Sequence, residues 1–197
     1  MLQVHADASN FAEGVTKDDA YEQVLLQAEG LFYGQRNWVR ISPFFPSLLT
    51  ASRRAIYAAS NLSNAASLLW HAYKSLPAPS NQVNWAGFYV LDPSAKDQLI
   101  LGPFQGKVAC QTIPFGRGVC GAAAATKTTQ LVDDVDKFPG HIACDSESKS
   151  EIVVPIVSGD KLVAIIDVDC AELNGFDETD KKHLEQLADL LAKGCDW

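Results

Sequence analysis

Hydrophobic residues spaced three and four positions apart predict three helices, and two of these have clear N-terminal caps. Thr16 precedes Asp18 and Asp19, whose charges suit the positive end of a helix dipole, so a helix is expected from there to about residue 30. Near the C-terminus, Asp177 and Asp180 stand at the spacing of a capping box. The apolar stripe of that last helix is formed by Leu184, Leu187 and Leu191.

The remaining helix is predicted over 61–76, and an unusual segment precedes it. Residues 40–60 contain three arginines, no acidic residue and two prolines, which favours an inserted loop within an otherwise acidic chain. A genuine peripheral loop, a lid and translated intron sequence are all open as its origin, and we expect it to carry no catalysis. Residues 1–15 are predicted to be a flexible N-terminal arm, and 16–197 a single domain.

Alternating apolar patterns and turn residues between residues 84 and 170 predict about six β-strands. The clearest pair, 149–157 and 161–169, forms a hairpin around Ser158-Gly159-Asp160. An alanine-rich stretch, 119–126, predicts a short helix. The other strands are expected at 85–91, 98–102, 108–114 and 130–133. Helices followed by an antiparallel sheet and a closing helix indicate an α+β fold.

Composition narrows the class of protein. The 197 residues are 47% hydrophobic and 20% charged, which suits one globular domain. A net charge of −8 argues against nucleic-acid binding, and no apolar run approaches the ~18 residues of a membrane span. The N-terminus lacks the pattern of a secretion signal, so we expect a cytoplasmic protein, with the nucleus as an additional compartment, whose cysteines are reduced.

Two carboxylates interrupt the apolar pattern of the last strand. Side chains two apart on a strand share a face, so Asp167 and Asp169 are expected to lie beside Ile165 and Val163. Burying unpaired charge is costly, and packing therefore does not explain the two aspartates. They indicate either a solvated sheet face or an acidic pocket for a cationic group such as an ammonium.

The partner strand adds a third carboxylate to this pattern. A hairpin turn centred near Gly159 would place Glu151 opposite Asp167, within one residue of register. Crowded carboxylates repel each other, so we expect one of them to keep its proton at neutral pH. A protonated carboxyl can act as a general acid.

The five cysteines all lie between residues 110 and 195, and three of them fall near strand ends and loops. Cys110, Cys120 and Cys144 lack the paired spacing of a structural zinc site, and His141 with Cys144 would supply too few ligands. We therefore predict no metal. Cys170 and Cys195 are interpreted as buried packing residues.

Several ordered sequence blocks resemble the free methionine-(R)-sulfoxide reductase family, and the resemblance covers nearly everything after Lys17 except 40–60. These blocks are NWAGFY (84–89), LGPFQGKVAC (101–110), GVCG (118–121), PGHIACD (139–145), SEIVVP (150–155) and IDVD (166–169). The family has a GAF-type fold, with a central antiparallel sheet, helices on one side and the ligand pocket on the other. Its members are generally cytosolic and often homodimeric.

The resemblance implies a role for each of the three cysteines. Cys144 would attack the sulfoxide sulfur as the nucleophile, and Cys110 would resolve the resulting sulfenic acid as a disulfide. Cys120 would be a third pocket cysteine, either resolving or auxiliary. Such chemistry is consistent with general principles, because a sulfenic acid condenses with a nearby thiol. An external dithiol, by resemblance thioredoxin, would then reduce the disulfide without any metal or organic cofactor.

The resemblance also implies a substrate pocket for free methionine-(R)-sulfoxide. Trp85 and Tyr89 would form a wall around the methyl-sulfur end of the substrate. Glu151, Asp167 and Asp169 would bind its amino group and help to protonate the sulfoxide oxygen. The same fold also serves sensors, so a GAF-type small-molecule-binding module and a redox-sensing module without turnover are alternatives at this stage.

Overall fold

The computed structural model describes residues 10–12, 14–33, 49–140, 146–195 and 197. The helices are α1 (Lys17–Phe32), α2 (Leu49–Ser75), α3 (Gly118–Thr126) and α4 (Glu178–Gly194). The strands are β1 (Val83–Leu91), β2 (Gln98–Gly106), β3 (Thr112–Pro114), β4 (Gln130–Val132), β5 (Ser150–Ser158) and β6 (Lys161–Cys170).

The strands form one six-stranded sheet in the order β3-β2-β1-β6-β5-β4. Every neighbouring pair is antiparallel, which confirms the predicted α+β fold and strand count. Strand β2 is longer than predicted because it continues through Pro103 to Gly106. Beyond Ile100 it pairs with β1 but no longer with β3, so a proline is tolerated on this free edge.

Helices α1, α2 and α4 cover one face of the sheet and form the larger core. The predicted N-cap Thr16 and the predicted capping box of Asp177 with Asp180 are both present, and Thr16 also forms a capping box with Asp19. The sheet contributes alternate residues of β6 to this core: Ala164, Ile166, Val168 and Cys170. Among the described residues, no helix is long and apolar enough to cross a membrane.

The opposite face of the sheet carries a second, smaller core together with the short helix α3. Its buried residues include Trp85, Tyr89, Cys120 and Ile165. The prediction of helices on one face therefore holds for α1, α2 and α4, while α3 packs on the other side. The glycine- and alanine-rich sequence of α3 lets the helix lie close to the sheet. A Cβ at Gly121 would lie 2.5 Å from the Pro114 carbonyl oxygen, so there is no room for a side chain at this position.

The segment predicted as an inserted loop is partly helical. Helix α2 begins at Leu49, so residues 49–60 extend the helix predicted over 61–76 instead of forming a loop. Residues 34–48 lie outside the described part of the chain. Part of the predicted N-terminal arm also packs on the domain, because Phe11 and Val15 contact the helix-covered core.

The β5–β6 hairpin differs from its predicted register by two residues. Glu151 pairs with Asp169, and Asp167 lies opposite Val153. On the two strands, Ile156 pairs with Ala164 but the next residue, Val157, pairs with Leu162. The register therefore changes at this point and leaves Val163 as an extra, unpaired residue on β6. This bulge also turns Val163 toward the helix-covered core, so it does not share the face of the two aspartates as predicted. A shift of two residues keeps Glu151 on the predicted face.

Candidate active site

Three elements bring a thiol and two carboxylates together on the face of the sheet that carries the second core. Cys120 lies in the first turn of α3, Glu151 on β5 and Asp167 on β6. The Cys120 Sγ lies 3.5 Å from Glu151 Oε1, and ligand atoms of all three side chains lie within 4.8 Å of one another. Each residue is only 6% exposed. We refer to Cys120, Glu151 and Asp167 as the thiol–carboxylate cluster.

Burial and mutual repulsion determine the protonation of this cluster. Burial, and then the neighbouring Asp167, raise the pKa of Glu151 well above its ordinary value. Burial also raises the pKa of Asp167 to about 6. The Cys120 thiol has its pKa raised by burial and by the same two carboxylates. Burial and crowding therefore favour the protonated form of Glu151 and the thiol form of Cys120.

One oxygen of the cluster has no partner. Among the described residues, Asp167 Oδ1 is buried and accepts no hydrogen bond. No lysine or arginine of the described chain forms an ion pair with Asp167 or Glu151. A buried carboxylate oxygen without a donor indicates a place for a cationic or hydrogen-donating ligand group.

Asp169 and Tyr89 surround the cluster. Asp169 is partly exposed and lies directly opposite Glu151 in the sheet. Burial and the charges of Asp167, Cys120 and Asp169 raise the pKa of Tyr89. The Tyr89 hydroxyl is therefore neutral and available as a donor or acceptor at this site.

An aromatic wall lies beside the carboxylates on β1 and β2. Trp85 stacks on Tyr89 with ring centroids 5.8 Å apart, and on Phe104 with centroids 5.3 Å apart. Trp85 and Tyr89 are 3% and 1% exposed. Phe104 also belongs to this aromatic wall, and the sequence did not single it out although it lies within the LGPFQGKVAC block. Its pairing with Gly87 across β1 and β2 is a long-range contact that the local pattern does not show.

Gly87 lies in close contact with the aromatic wall, on the strand next to that of Asp167. It lies between Trp85 and Tyr89 on β1, with Phe104 opposite on one neighbouring strand and Asp167 on the other. A Cβ at this position would lie 2.7 Å from Trp85 Cη2 and 2.8 Å from Phe104 Cα. A glycine is therefore required for the stacked rings to come this close to the sheet.

The segment between β2 and β3 carries Cys110 and is tied to the aromatic wall. Trp85 Nε1 donates a 3.0 Å hydrogen bond to the Lys107 carbonyl, and Leu101 N donates to the Gln111 carbonyl at 2.9 Å. Cys110 is half-buried against the second core and is disulfide-bonded. The structure therefore brings this cysteine to the same face as the thiol–carboxylate cluster.

The remaining cysteines divide as the sequence suggested. Cys120, Cys170 and Cys195 form no disulfide, and the latter two are buried in the helix-covered core, in agreement with their predicted packing role. Cys144, the predicted nucleophile, lies outside the described residues, as does His141. The structure thus places Trp85, Tyr89, Cys110, Cys120, Glu151, Asp167 and Asp169 on one face of the sheet.

The sequence of this chain is similar to a known domain family and to two free methionine-R-sulfoxide reductases. A GAF domain model matches residues 79–194. The chain is 54% identical to the free methionine-R-sulfoxide reductase of Saccharomyces cerevisiae over 192 residues, covering 97% of this chain and 94% of the yeast protein. It is 46% identical to the Escherichia coli free methionine-R-sulfoxide reductase over 132 residues, covering 67% of this chain and 74% of that protein.

A solved structure agrees with the sequence relatives. The X-ray structure of the Neisseria meningitidis free methionine-R-sulfoxide reductase, in complex with its substrate, superposes with a TM-score of 0.75 at 37% identity. The match covers 94% of this chain and 95% of the Neisseria chain. The predicted GAF-like fold is confirmed, and the chain belongs to the GAF-domain family of free methionine-R-sulfoxide reductases.

Proposed function

We propose that this protein reduces free L-methionine-(R)-sulfoxide to methionine by thiol chemistry. The observation that carries the proposal is the thiol–carboxylate cluster beside the aromatic wall, in a chain with close relatives named for this reaction. The site offers one protonated carboxyl, one carboxylate oxygen without a partner and a stacked apolar surface. A small zwitterion with a polar sulfoxide and a methyl group matches those three features.

Each part of the substrate has a complementary surface. Its ammonium group pairs with Asp167 and Asp169, where Asp167 Oδ1 lacks a hydrogen-bond donor. The methyl-sulfur end packs against Trp85 and Tyr89, which are already stacked and so lose little freedom on binding. The sulfoxide oxygen points to Glu151, whose raised pKa keeps a proton available.

The proposed reaction begins with attack by the Cys144 thiolate on the sulfoxide sulfur. Glu151 donates its proton to the sulfoxide oxygen, which makes the oxygen a better group for transfer. The oxygen ends on Cys144 as a sulfenic acid, and the substrate leaves as methionine, so cysteine is oxidised and the sulfoxide is reduced. The balance needs no metal or organic cofactor.

The second half of the cycle returns the enzyme to the dithiol form. The Cys110 thiol attacks the sulfenic acid, which releases water and leaves a Cys110–Cys144 disulfide. This assignment is supported by the disulfide-bonded state of Cys110 and by the free state of Cys120. A protein dithiol such as thioredoxin then reduces the disulfide by thiol–disulfide exchange and becomes oxidised itself.

The test is turnover of separated sulfoxide isomers with thioredoxin recycling. We expect reduction of the free R isomer and none of the S isomer or of R sulfoxide within a peptide. Cys144→Ser should abolish a single turnover, whereas Cys110→Ser should permit one turnover and then fail to recycle. Cys195→Ser, at a buried cysteine of the other core, is the matched control and should retain turnover. Single-turnover reduction by Cys144→Ser would refute the assignment, and binding without turnover would indicate a sensor.

A further inference from the structure

The thiol–carboxylate cluster has the geometry of a small cation site. Its ligand atoms come from three different elements, α3, β5 and β6, and β5 and β6 are paired along their whole length. The Cys120 Sγ to Glu151 Oε1 distance is 3.5 Å. Two ligands of a tetrahedral zinc ion, at about 2.3 Å for sulfur and about 2.0 Å for oxygen, lie about 3.5 Å apart. Cys120 and Glu151 therefore have the spacing of two ligands of one ion, and a ligand atom of Asp167 lies within 4.8 Å of both.

A second observation points to a ligand here. Asp167 is 6% exposed, and its Oδ1 accepts no hydrogen bond from any described residue. A buried polar atom of this kind is rare and indicates an absent partner. Glu151 and Cys120 are equally 6% exposed, so the cluster is nearly dry but is not sealed from solvent.

We propose that Cys120, Glu151 and Asp167 form an inhibitory site for a thiophilic divalent cation such as Zn²⁺. One thiolate and two carboxylates supply three ligands and leave a fourth position for water. A soft sulfur ligand favours Zn²⁺ and Cd²⁺, whereas Mg²⁺ and Ca²⁺ require more oxygen ligands than these three residues offer. The displaced protons of the thiol and of Glu151 leave to solvent as the ion binds.

The inhibitory part of this inference rests on the proposed function. An ion at the cluster occupies the Asp167 carboxylate that receives the substrate ammonium. It also replaces the Glu151 proton that the sulfoxide oxygen requires. The ion and the substrate therefore exclude each other, and inhibition should be competitive.

The binding test uses the disulfide form of the full-length protein, because the thiol of Cys110 is then blocked. Zn²⁺ alone is titrated calorimetrically, and Co²⁺ alone is followed by the near-ultraviolet thiolate-to-cobalt absorption band. We expect one ion per chain, with Cys120→Ser weakening Zn²⁺ binding by at least about 100-fold and abolishing the cobalt band. Cys195→Ser, with its site in the other core, should bind as the wild type does.

The outcomes separate this inference from the proposed function. Absence of Zn²⁺ binding in the folded wild type, or equal binding by Cys120→Ser, would overturn the cation site. Asp167→Asn supplies a second check if Cys120→Ser fails to fold, since it should also weaken Zn²⁺ binding. Binding with non-competitive or absent inhibition of turnover would overturn the inhibitory role. A protein that binds Zn²⁺ at Cys120 without sulfoxide turnover would refute only the proposed function.

Discussion

Asp167 lowers the stability of the folded protein at neutral pH, although the proposed substrate site requires its carboxylate. Its pKa of about 6 lies above its ordinary value because burial disfavours the charged form. The folded state therefore binds the proton more tightly than the unfolded state. Stability contributed by this group is present below the unfolded pKa of 3.8 and is lost as the pH rises toward 6.

Asp167→Asn should consequently gain stability relative to the wild type as the pH rises. An amide keeps the shape but cannot ionise, so the gain between about pH 4 and about pH 7 should be on the order of 2 kcal/mol. The measurement is urea unfolding at both pH values, with Asp160→Asn in the exposed hairpin turn as control. The same variant should lose more than about tenfold in kcat/KM through the lost ammonium contact. A stability difference that is constant with pH would contradict the burial argument.

Cys120 and Cys110 have different environments although both lie at the same face of the sheet. Burial and two carboxylates raise the pKa of the Cys120 thiol, and its Sγ hydrogen-bonds Glu151. A thiol in that state is a poor nucleophile. We infer that Cys120 positions the carboxylates, whereas Cys110 forms the disulfide.

Cys120→Ala should therefore form the same disulfide as the wild type after one turnover. A free-thiol titration after addition of one equivalent of sulfoxide checks this, and the loss of thiols should match the wild type. The single-turnover rate should fall and its pH profile should shift, because the Cys120 thiol no longer contacts Glu151. Loss of disulfide formation with an intact first step would instead make Cys120 the resolving cysteine.

At the scale of elements, local patterns predicted the helices and strands well but not their register. The capping boxes of α1 and α4, and the hairpin of β5 and β6, depend on residues close in sequence. The bulge at Val163 depends on packing of Leu162 and Val163 against opposite cores, so alternation alone could not place it. The face of Glu151 was still predicted correctly because the error was an even number of residues.

The aromatic wall was predicted only in part, for a related reason. Trp85 and Tyr89 lie four residues apart on one strand and therefore share a face, which a short sequence block can reveal. Phe104 joins them only through the β1–β2 pairing, in which it lies opposite Gly87. Gly87 has no side chain, and a Cβ there would collide with Trp85 and Phe104. Similarly, the helical start of α2 at Leu49 was hidden by the prolines and arginines around it.

Gly87→Ala tests this arrangement of strands. A methyl group would come 2.7 Å from Trp85 Cη2, and it also overlaps the Phe104 Cβ. We expect a loss of about 1–3 kcal/mol in the free energy of unfolding and a reduced kcat/KM, because the stacked rings must move. Gly194→Ala is the matched control, since its Cβ would meet Phe32 at an ordinary 3.4 Å. Thermal unfolding and steady-state kinetics of both variants check the prediction, and an unchanged Gly87→Ala would refute it.

At the scale of the whole molecule, the sheet separates the helix-covered core from the face that carries the candidate site. The helix-covered face contains a buried polar network, in which Tyr21 and Tyr73 hydrogen-bond each other and Tyr21 donates to Asp180 at 2.9 Å. Asp180 is fully buried, and Lys17 lies 2.6 Å from it. Burial raises the pKa of Asp180 despite this lysine, so the network depends on the cation to remain charged. Tyr21 and Tyr73 of this network pack in the helix-covered core, whereas Cys120 of the thiol–carboxylate cluster packs in the second core.

Lys17→Met should accordingly lower stability without altering catalysis. Removing the ammonium leaves Asp180 charged and buried, which costs about 2–4 kcal/mol after allowance for the 22% exposure of the lysine side chain. The cost should shrink as the pH falls, because Asp180 then takes up a proton and no longer needs a cation. Lys181→Met, which removes only a surface ion pair with Glu178, is the matched control and should change stability by less than about 1 kcal/mol. Urea unfolding at two pH values measures the first effect, and kcat/KM below the unfolding transition measures the second. A large fall in kcat/KM of the folded Lys17→Met protein would show that the two faces of the sheet are coupled.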